Sequence, residues 1–363
     1  MRILHIYKDY FPVLGGIENH VKVLAEAQAA AGHQVLVSVC DPGHRTTVLD
    51  LNGVRVVKSG RVTTMASMPI SLTQPIAIAR LRPDVIHVHS PYPLGELSAW
   101  FLGRSLPVVI TYHSDVIRQK GLLRFYGPML QHVLRRANRI LVTSPNYLRT
   151  SPWLTPVSER CMVVPLGVDQ NRFRPPAAPY GGPPRLLFVG RLRYYKGLDT
   201  LIRALSGLPG VTLEVCGDGP MRSEWQALAV ALGVADRVLF MGEVDDAELP
   251  RVYQRATAFV LPANARAEAF GTVLLEAMAS GLPCVTTELG TGTSWVVQNG
   301  ATGLVVPPRD PEALAAALRR LLEDEGLRRR MGQAGRERVE REFTEALMVE
   351  RVMAVYRNLV DGA

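Results

Sequence analysis

Residues 268–276 read EAFGTVLLE and set two carboxylates, Glu268 and Glu276, at the ends of a mostly apolar run. The segment VLLEAMA has helical apolar spacing, so Thr272 is expected to cap a helix beginning near Val273, with Gly271 allowing a tight loop before it. Glu276 then lies one turn inside the helix and Glu268 on the loop ahead of it. The electropositive helix start falls between them, where a phosphate is favoured. Each carboxylate can accept hydrogen bonds from sugar hydroxyls on either side of that phosphate. The plain alternative is a capping acid followed by a helix-surface acid.

Three further groups have the right chemistry at the ends of strand-like runs. In LLFVGRLRYYKGLDTLI, Arg191 follows a strand and Lys196 stands just before a helix, together a cradle for a diphosphate or simply solvated charge. His113 ends PVVITYH, where a histidine is expected to face the cleft and hydrogen-bond a hydroxylated ligand, although a lone histidine is more often structural. Gly15-Gly16, between ILHIY and a helix-like run from Ile17, admits close approach of an anion to backbone N–H groups. That loop lacks the GxGxxG spacing, so a dinucleotide reading is weak and a plain turn stays open.

The elements that must hold these groups form two alternating series. ILHIY, a helix to about Ala31, Gly32 and QVLVSV make a βαβ unit, followed by strand candidates at 54–58, 84–89, 107–113 and 139–144. After the Pro- and Gly-rich stretch NRFRPPAAPYGGPPR the pattern restarts, with strands at 185–190, 211–217, 237–242, 258–262, 283–287 and 303–307 and a helical tail from roughly 311 to 360. Apolar strands separated by helices imply parallel sheets covered on both faces. The expected division is 1–170, 171–345 and a final helix, 346–363, packing back on the first domain. A ligand between two such domains is expected outside the carboxyl ends of the strands.

Composition narrows the classes. The chain has 363 residues, 47% hydrophobic and 20% charged, which is globular and long enough for two cores. No apolar run reaches the ~20 residues of a membrane span, and MRILHIY has no signal-peptide profile, so a cytoplasmic location is expected. Cys40, Cys161, Cys216 and Cys284 form no metal-binding pair and read as buried thiols. Residues 1–170 carry 18 Lys+Arg against 10 Asp+Glu, whereas 171–363 carry 23 of each, so the excess of +8 belongs to the first half and points to an anionic partner there. The segment 116–139, with Arg118, Lys120, Arg124, Arg135, Arg136 and Arg139 among Leu, Phe, Tyr and Met, suits the surface of an anionic bilayer. A helix that packs its apolar stripe on the sheet explains the segment equally well.

Taken in order, GGIENH, TYHSD, PLGVDQNRF, VGRLRYYKGLDTLI and EAFGTVLLEAMASGLP resemble family 4 of the retaining, GT-B-fold glycosyltransferases over nearly the whole chain. The resemblance implies an α/β, GT-B architecture of two Rossmann-like doubly wound domains. It implies that Glu276 holds the nucleotide ribose, that Glu268 and the backbone through Ala269, Phe270, Gly271, Thr272 and Val273 hold donor sugar and phosphate, and that Arg191 and Lys196 bind the diphosphate with Gly15 and Gly16 near it. His113 would contact the sugar close to the reacting carbon, and Val244 the base. No cofactor is implied: no Asp-x-Asp pair occurs, and the two cations can stabilise a departing diphosphate without a metal. The segment ELGTGTSWVVQNG (288–300) departs from the commoner family pattern and is similar to bacterial mannosyl- and rhamnosyltransferases of surface-polysaccharide assembly, which favours GDP-mannose. A UDP- or dTDP-sugar enzyme, an epimerase of the same architecture and a silent nucleotide-sugar binder remain alternatives. A nucleic-acid partner is disfavoured because no recognisable module accompanies the charge.

Overall fold

In a computed structural model, residues 1–13, 15–65, 68–102, 106–115, 120–178 and 180–362 are described, apart from the side chains of 65, 120–123 and 125. The chain divides into two compact units, 1–165 with 346–363, and 166–345.

The first unit carries strands β1 (Arg2–Ile6), β2 (Gln34–Cys40), β3 (Thr47–Leu51), β4 (Val54–Ser59), a small hairpin of β5 (Thr63–Met65) and β6 (Met68–Ile70), then β7 (Val85–Ser90), β8 (Val108–Tyr112), β9 (Arg139–Val142) and β10 (Cys161–Val163). Its main sheet runs β10-β9-β8-β7-β1-β2-β4-β3, so the strand order reverses beside β1. Neighbours are parallel except β3 and β4. That antiparallel edge departs from the all-parallel expectation. The dipeptide Asn52-Gly53, both with positive φ, turns β3 back on β4 and is the hairpin signal that the strand reading passed over.

Side chains alternate across a strand, and the register aligns Ile3 with Val85 and His5 with His87. One face therefore presents Ile3, Val85, Val109 and Leu141 as an apolar layer, joined by Leu24 of the helix Gly16–Ala30 and by Val352, Met353 and Tyr356 of the helix Glu345–Val360. Burying each large side chain of that last helix contributes roughly 1.5–3 kcal/mol, enough to hold it on the sheet without a covalent tie. On the same face, towards the carboxyl ends of the strands, the layer turns to histidine.

The second unit is a single parallel sheet of β11 (Arg185–Val189), β12 (Thr212–Cys216), β13 (Val238–Gly242), β14 (Ala258–Leu261), β15 (Cys284–Thr287) and β16 (Gly303–Val306). The order β13-β12-β11-β14-β15-β16 reverses between β11 and β14. In a doubly wound sheet a ligand binds outside the carboxyl ends at that reversal. The strands are continuous apolar runs because helices cover both faces; Leu186 to Phe188 and Ala258 to Leu261 are fully buried.

The division between units falls at 165/166 rather than 170/171. Val168 before the Pro-rich stretch and Phe173 at its start are packed into the second unit: Val168 N–H donates to Phe343 O at 2.9 Å, and the buried Phe173 ring stands edge-on to Tyr253, 5.6 Å between centroids. The tail expected from 311 to 360 comprises three helices, Pro311–Glu323, Glu325–Glu342 and Glu345–Val360. Among the described residues no helix is long and apolar enough to cross a membrane. All four cysteines are free thiols, three buried and Cys161 half-buried.

Candidate active site

The loops leaving β11 and β14 meet at the reversal of the second sheet. Gly197, with φ 68°, caps the helix Leu198–Leu205 in the left-handed region, and a Cβ built there would lie 2.0 Å from Pro262 O. Only glycine allows that approach. Asn264 N–H donates to Tyr195 O at 2.9 Å, tying the loops a second time. The close seam brings Lys196 Nζ to 2.6 Å from Glu268 Oε2, near as charges although not aligned as a hydrogen bond. Burial pushes the Lys196 ammonium down, but the Glu268 and Tyr195 charges and Glu276 outweigh it and leave it raised, so Lys196 stays cationic. Arg191, on the same loop, is exposed and makes no ion pair among the described residues. Lys196 and Glu268, predicted from separate motifs, are thus neighbours across loops that the fold joins.

The helix after Glu268 spans Thr272–Ala279, and its cap is Gly271 at φ 82° with no side-chain hydrogen bond. Thr272 is therefore the first helical residue and not the cap. The left-handed turn needed at 271 is one a β-branched residue resists, so glycine takes the position and the threonine shifts inward. Glu276, a turn further on and half-buried, accepts a hydrogen bond from Tyr253 Oη at 2.7 Å. Its burial raises the carboxyl above the usual range, opposed by Tyr253 and by Arg172. Arg172 Nη2 pairs with Asp246 Oδ1 at 3.1 Å, on the loop that carries the half-buried Val244. Ala269 and Phe270 are buried, and Thr272 and Val273 are half-buried.

The departing segment 288–300 backs this loop directly. Gly292 N–H donates to Ala269 O at 2.7 Å, and a Cβ at Gly292 would lie 2.8 Å from Ala269 O and from Phe270 Cδ2. Arg266 Nη1 reaches Gly290 O at 3.2 Å. Glu288, the acid of the segment, spends Oε1 on Gly290 N–H and Ser294 Oγ–H, both at 2.8 Å.

In the first unit, Gly15 is extended at the start of the helix Gly16–Ala30. A Cβ there would lie 2.1 Å from Glu18 Oε2, and Glu18 pairs with Lys8 at 3.8 Å. The chain's own carboxylate thus occupies the place where an anion was expected beside Gly15 and Gly16. His113, expected to face a cleft as a lone histidine, is 5% exposed and belongs to a buried set of five. Its Nε2 is 3.2 Å from His89 Nδ1, His89 Nε2 is 3.1 Å from His5 Nδ1, and His5 Nε2 is 2.8 Å from Gln28 Oε1. His87 bridges Tyr356 Oη at 2.5 Å and Thr111 Oγ1 at 2.6 Å. His20 stands edge-on to His113 and His89, at 5.1 and 5.5 Å between centroids, and its ring nitrogens find no partner among the described residues. Burial lowers His5 to about 4 and His20 to about 3, and it carries His87, His89 and His113 well below the usual imidazole range. Ligand atoms of His5, His87 and His89, and of His20, His89 and His113, lie within 4.8 Å of one another. Except in His20, those rings are already joined by hydrogen bonds. The alternation HVH at 87–89, which puts two histidines on one strand face, was the available signal.

Of the basic segment 116–139, residues 116–119, Arg118 included, lie outside the described residues, as does the side chain of Lys120. The rest forms a helix, Lys120–Arg136, that buries Tyr126, Leu130, Val133 and Leu134. Tyr126 Oη donates to Glu96, 2.8 Å from Oε2. Its described apolar stripe is thus used for packing, and Arg124, Arg135 and Arg139 are exposed while Arg136 stacks 5.8 Å over Trp100.

The family profiles described as Glycosyltransferase Family 4 and Glycosyl transferases group 1 match residues 14–172 and 169–338. The chain is similar to the D-rhamnosyltransferase WbpZ of Pseudomonas aeruginosa, 37% identical over 95% of this chain and 92% of that protein. It is 32% identical to the O-antigen chain mannosyltransferase C of Escherichia coli over the full length of both. Among solved structures, sucrose-phosphate synthase from Thermosynechococcus elongatus superposes with a TM-score of 0.85 at 26% identity, covering both chains completely. Anabaena Alr3699/HepE, in complex with UDP and glucose, shares the fold with a TM-score of 0.80 at 18% identity, over 99% of this chain and 100% of that one. The chain belongs to the family 4, group 1 glycosyltransferases, and its two sheet units are those of the GT-B fold.

Proposed function

We propose that the protein is a retaining hexosyltransferase that moves mannose from GDP-mannose to a hydroxyl of a glycan or lipid-linked acceptor without a metal. The observation that carries this reading is the Lys196–Glu268 pair at the sheet reversal, with Arg191 exposed on the loop that carries Lys196 and Glu276 one helix turn beyond Gly271. In this reading Lys196 and Arg191 bind the diphosphate, and Glu268 with the backbone at Ala269 to Val273 receives sugar hydroxyls and phosphate. Glu276, steadied by Tyr253, takes the ribose, and Val244 lies by the base. The acceptor oxygen bonds to the anomeric carbon on the face from which the diphosphate leaves. The carbon–oxygen bond to the diphosphate breaks, and the acceptor's proton passes to the departing oxygen. Lys196 and Arg191 stabilise the charge that develops there. Mannose is favoured by the name of one relative, the O-antigen chain mannosyltransferase C, while the name of the other keeps rhamnose as the competing sugar.

Calorimetric binding of GDP, UDP, ADP and dTDP, followed by transfer from labelled GDP-mannose in excess EDTA, tests the reading. GDP binding and full transfer in EDTA are expected. Preference for UDP or dTDP removes the mannose assignment, loss of transfer in EDTA removes metal independence, and donor consumption without an acceptor product points to the epimerase. Binding without any turnover leaves a silent nucleotide-sugar binder. A second reading, contact with an anionic bilayer, is favoured by an apolar pocket of about 310 Å³ lined by Pro75, Leu94, Leu97 and the exposed Phe101, with Leu72 and Ile76, near Pro75 in the chain, exposed as well. Flotation with anionic vesicles at low salt checks it, and no binding sinks it.

A further inference from the structure

We propose that Arg338 is a positioning residue for the loop 268–271, acting at a distance through Trp295 and Gly292. The proposal rests on the reading of that loop as the holder of the donor sugar, and every residue it uses lies in the second unit.

Arg338 belongs to the helix Glu325–Glu342 and is 3% exposed. Burial pushes its guanidinium below the usual range, against the pull of Glu342, whose Oε2 is 3.3 Å from Nη2. Nε finds no partner among the described residues, a further cost. Replacing a buried cation by an apolar chain of similar volume is often neutral or stabilising, so packing alone does not account for an arginine here. What the guanidinium holds does. Its Nη2 donates to Trp295 O at 3.1 Å. Trp295 lies in the single-turn helix Thr293–Val296, whose carbonyls have no acceptor role left within so short a helix and need a donor from elsewhere. The guanidinium also covers two rings, with Cζ 5.6 Å from the centroid of Trp295 and 5.2 Å from that of Phe343. Those rings stand edge-on at 5.3 Å, and Phe270 adjoins them at 6.5 and 6.4 Å. The turn is thus held by main chain and side chain at once.

The other end of the turn reaches the loop. Gly292 O accepts from the N–H groups of Trp295 and Val296, at 3.1 and 2.8 Å, while Gly292 N–H donates to Ala269 O at 2.7 Å. A Cβ at Gly292 would lie 2.8 Å from Ala269 O and 2.9 Å from Phe270 Cα, so the two backbones are in contact with no slack between them. A shift of the turn therefore passes to Ala269 and Phe270, and so to Glu268 next in the chain. Misplacement of a binding group by more than about 0.5 Å weakens what it holds. Glu276 is anchored separately by Tyr253, and Lys196 stands on the loop after β11. Arg338 accordingly bears on the sugar and little on the nucleoside diphosphate.

The test compares Arg338→Met, which keeps the packing chain and removes donor and charge, with Arg338→Lys, which restores one donor. Hydrogen exchange on the full chain without ligand, resolved to the Gly292 amide, is read as a ratio to the amides of β14 in the same sample, so that a general loss of stability cancels. The ratio is expected to fall roughly three- to ten-fold in Arg338→Met, the scale of one hydrogen bond, and to recover in part in Arg338→Lys. An unchanged ratio overturns the proposal. Calorimetry with GDP-mannose and with GDP then reads the consequence. Arg338→Met should lose roughly three- to ten-fold in affinity for the nucleotide sugar and less than about two-fold for GDP, with Arg338→Lys between it and the parent chain. Equal losses for the two ligands, or none, overturn the positioning role, since a merely structural defect would not single out the sugar. Glu268→Gln on the same pair of ligands marks failure of the donor reading separately: a sugar preference untouched by that change means that the loop does not hold the sugar, and the proposal falls with it.

Discussion

Mild acid is expected to destabilise the first unit selectively. All eight histidines precede residue 166, so the second unit has none. His5 and His20, lowered by burial to about 4 and about 3, stay uncharged in the folded protein through the range in which an unfolded imidazole takes up a proton. With folded values below the unfolded one, the unfolded chain binds more protons, and stability falls as pH falls through about 6.5 until the folded values are reached. From about pH 7.5 to about pH 5.5 each contributes a loss of ~1.4 kcal/mol, about 3 kcal/mol for the two. His87, His89 and His113 add in the same direction. Glu96 in the first unit acts oppositely, because burial raises its carboxyl and the folded state then gains the proton first. In the second unit the raised Glu276 acts in that same opposite sense with no histidine against it. Native-state hydrogen exchange, corrected for intrinsic rates, reads both units in one sample. Peptides covering β1, β7 and β8 should lose protection over this range while those covering β11 and β14 keep theirs. His20→Phe, which removes two unpartnered buried nitrogens, should remove ~1.4 kcal/mol of the first unit's loss over this range, its effect on the slope approaching one proton only towards about pH 5.5. Equal loss in the two units, or a dependence unaltered by His20→Phe, would refute the assignment of the acid sensitivity to the buried histidines.

Lys196→Ala removes the ammonium beside Glu268 and is expected to cost about 2–4 kcal/mol in the transfer barrier, seen in single-turnover rates; near-normal turnover counts against leaving-group stabilisation. Glu276→Ala should weaken nucleoside diphosphate binding by roughly ten-fold, the worth of a charged hydrogen bond, and unchanged affinity in calorimetry would refute its ribose role. Gly197→Ala forces a left-handed alanine against Pro262 O and should cost at least ~1–2 kcal/mol of stability, measured by urea unfolding, together with donor affinity. A wild-type midpoint in that variant would mean that the two loops do not depend on their close seam.

The alternation of strands and helices was legible because buried parallel strands are short apolar runs punctuated by Gly and Pro, signals confined to a few residues. For the same reason Arg191, Lys196, Glu268 and Glu276 could be named: each stands next to a strand or helix end that is itself local. The cap at Gly271 was misplaced by one residue because a threonine favours capping, whereas here the backbone needs the left-handed turn. What stayed hidden depends on strand order. His5, His20, His89 and His113 are scattered in sequence, and only the placement of β1 against β7 makes them one layer. Tyr253 supports Glu276 across 23 positions by the same kind of long-range contact. The apolar residues at 126–134 spoke equally for a bilayer and for the sheet, since burial in either draws on the same chemistry.

The assignment of residues 346–363 to the first unit bears on recombination between related enzymes. The chain enters the second unit once and returns, so that unit is an insert with two seams, at 165/166 and 345/346. An exchange made at the first seam alone would pair a sheet with a foreign closing helix, and His87 would meet whatever residue the stranger supplies in place of Tyr356. Chimeras that carry both seams keep that partner, so the exchange that leaves each sheet with its own closing elements is the transplant of an internal cassette.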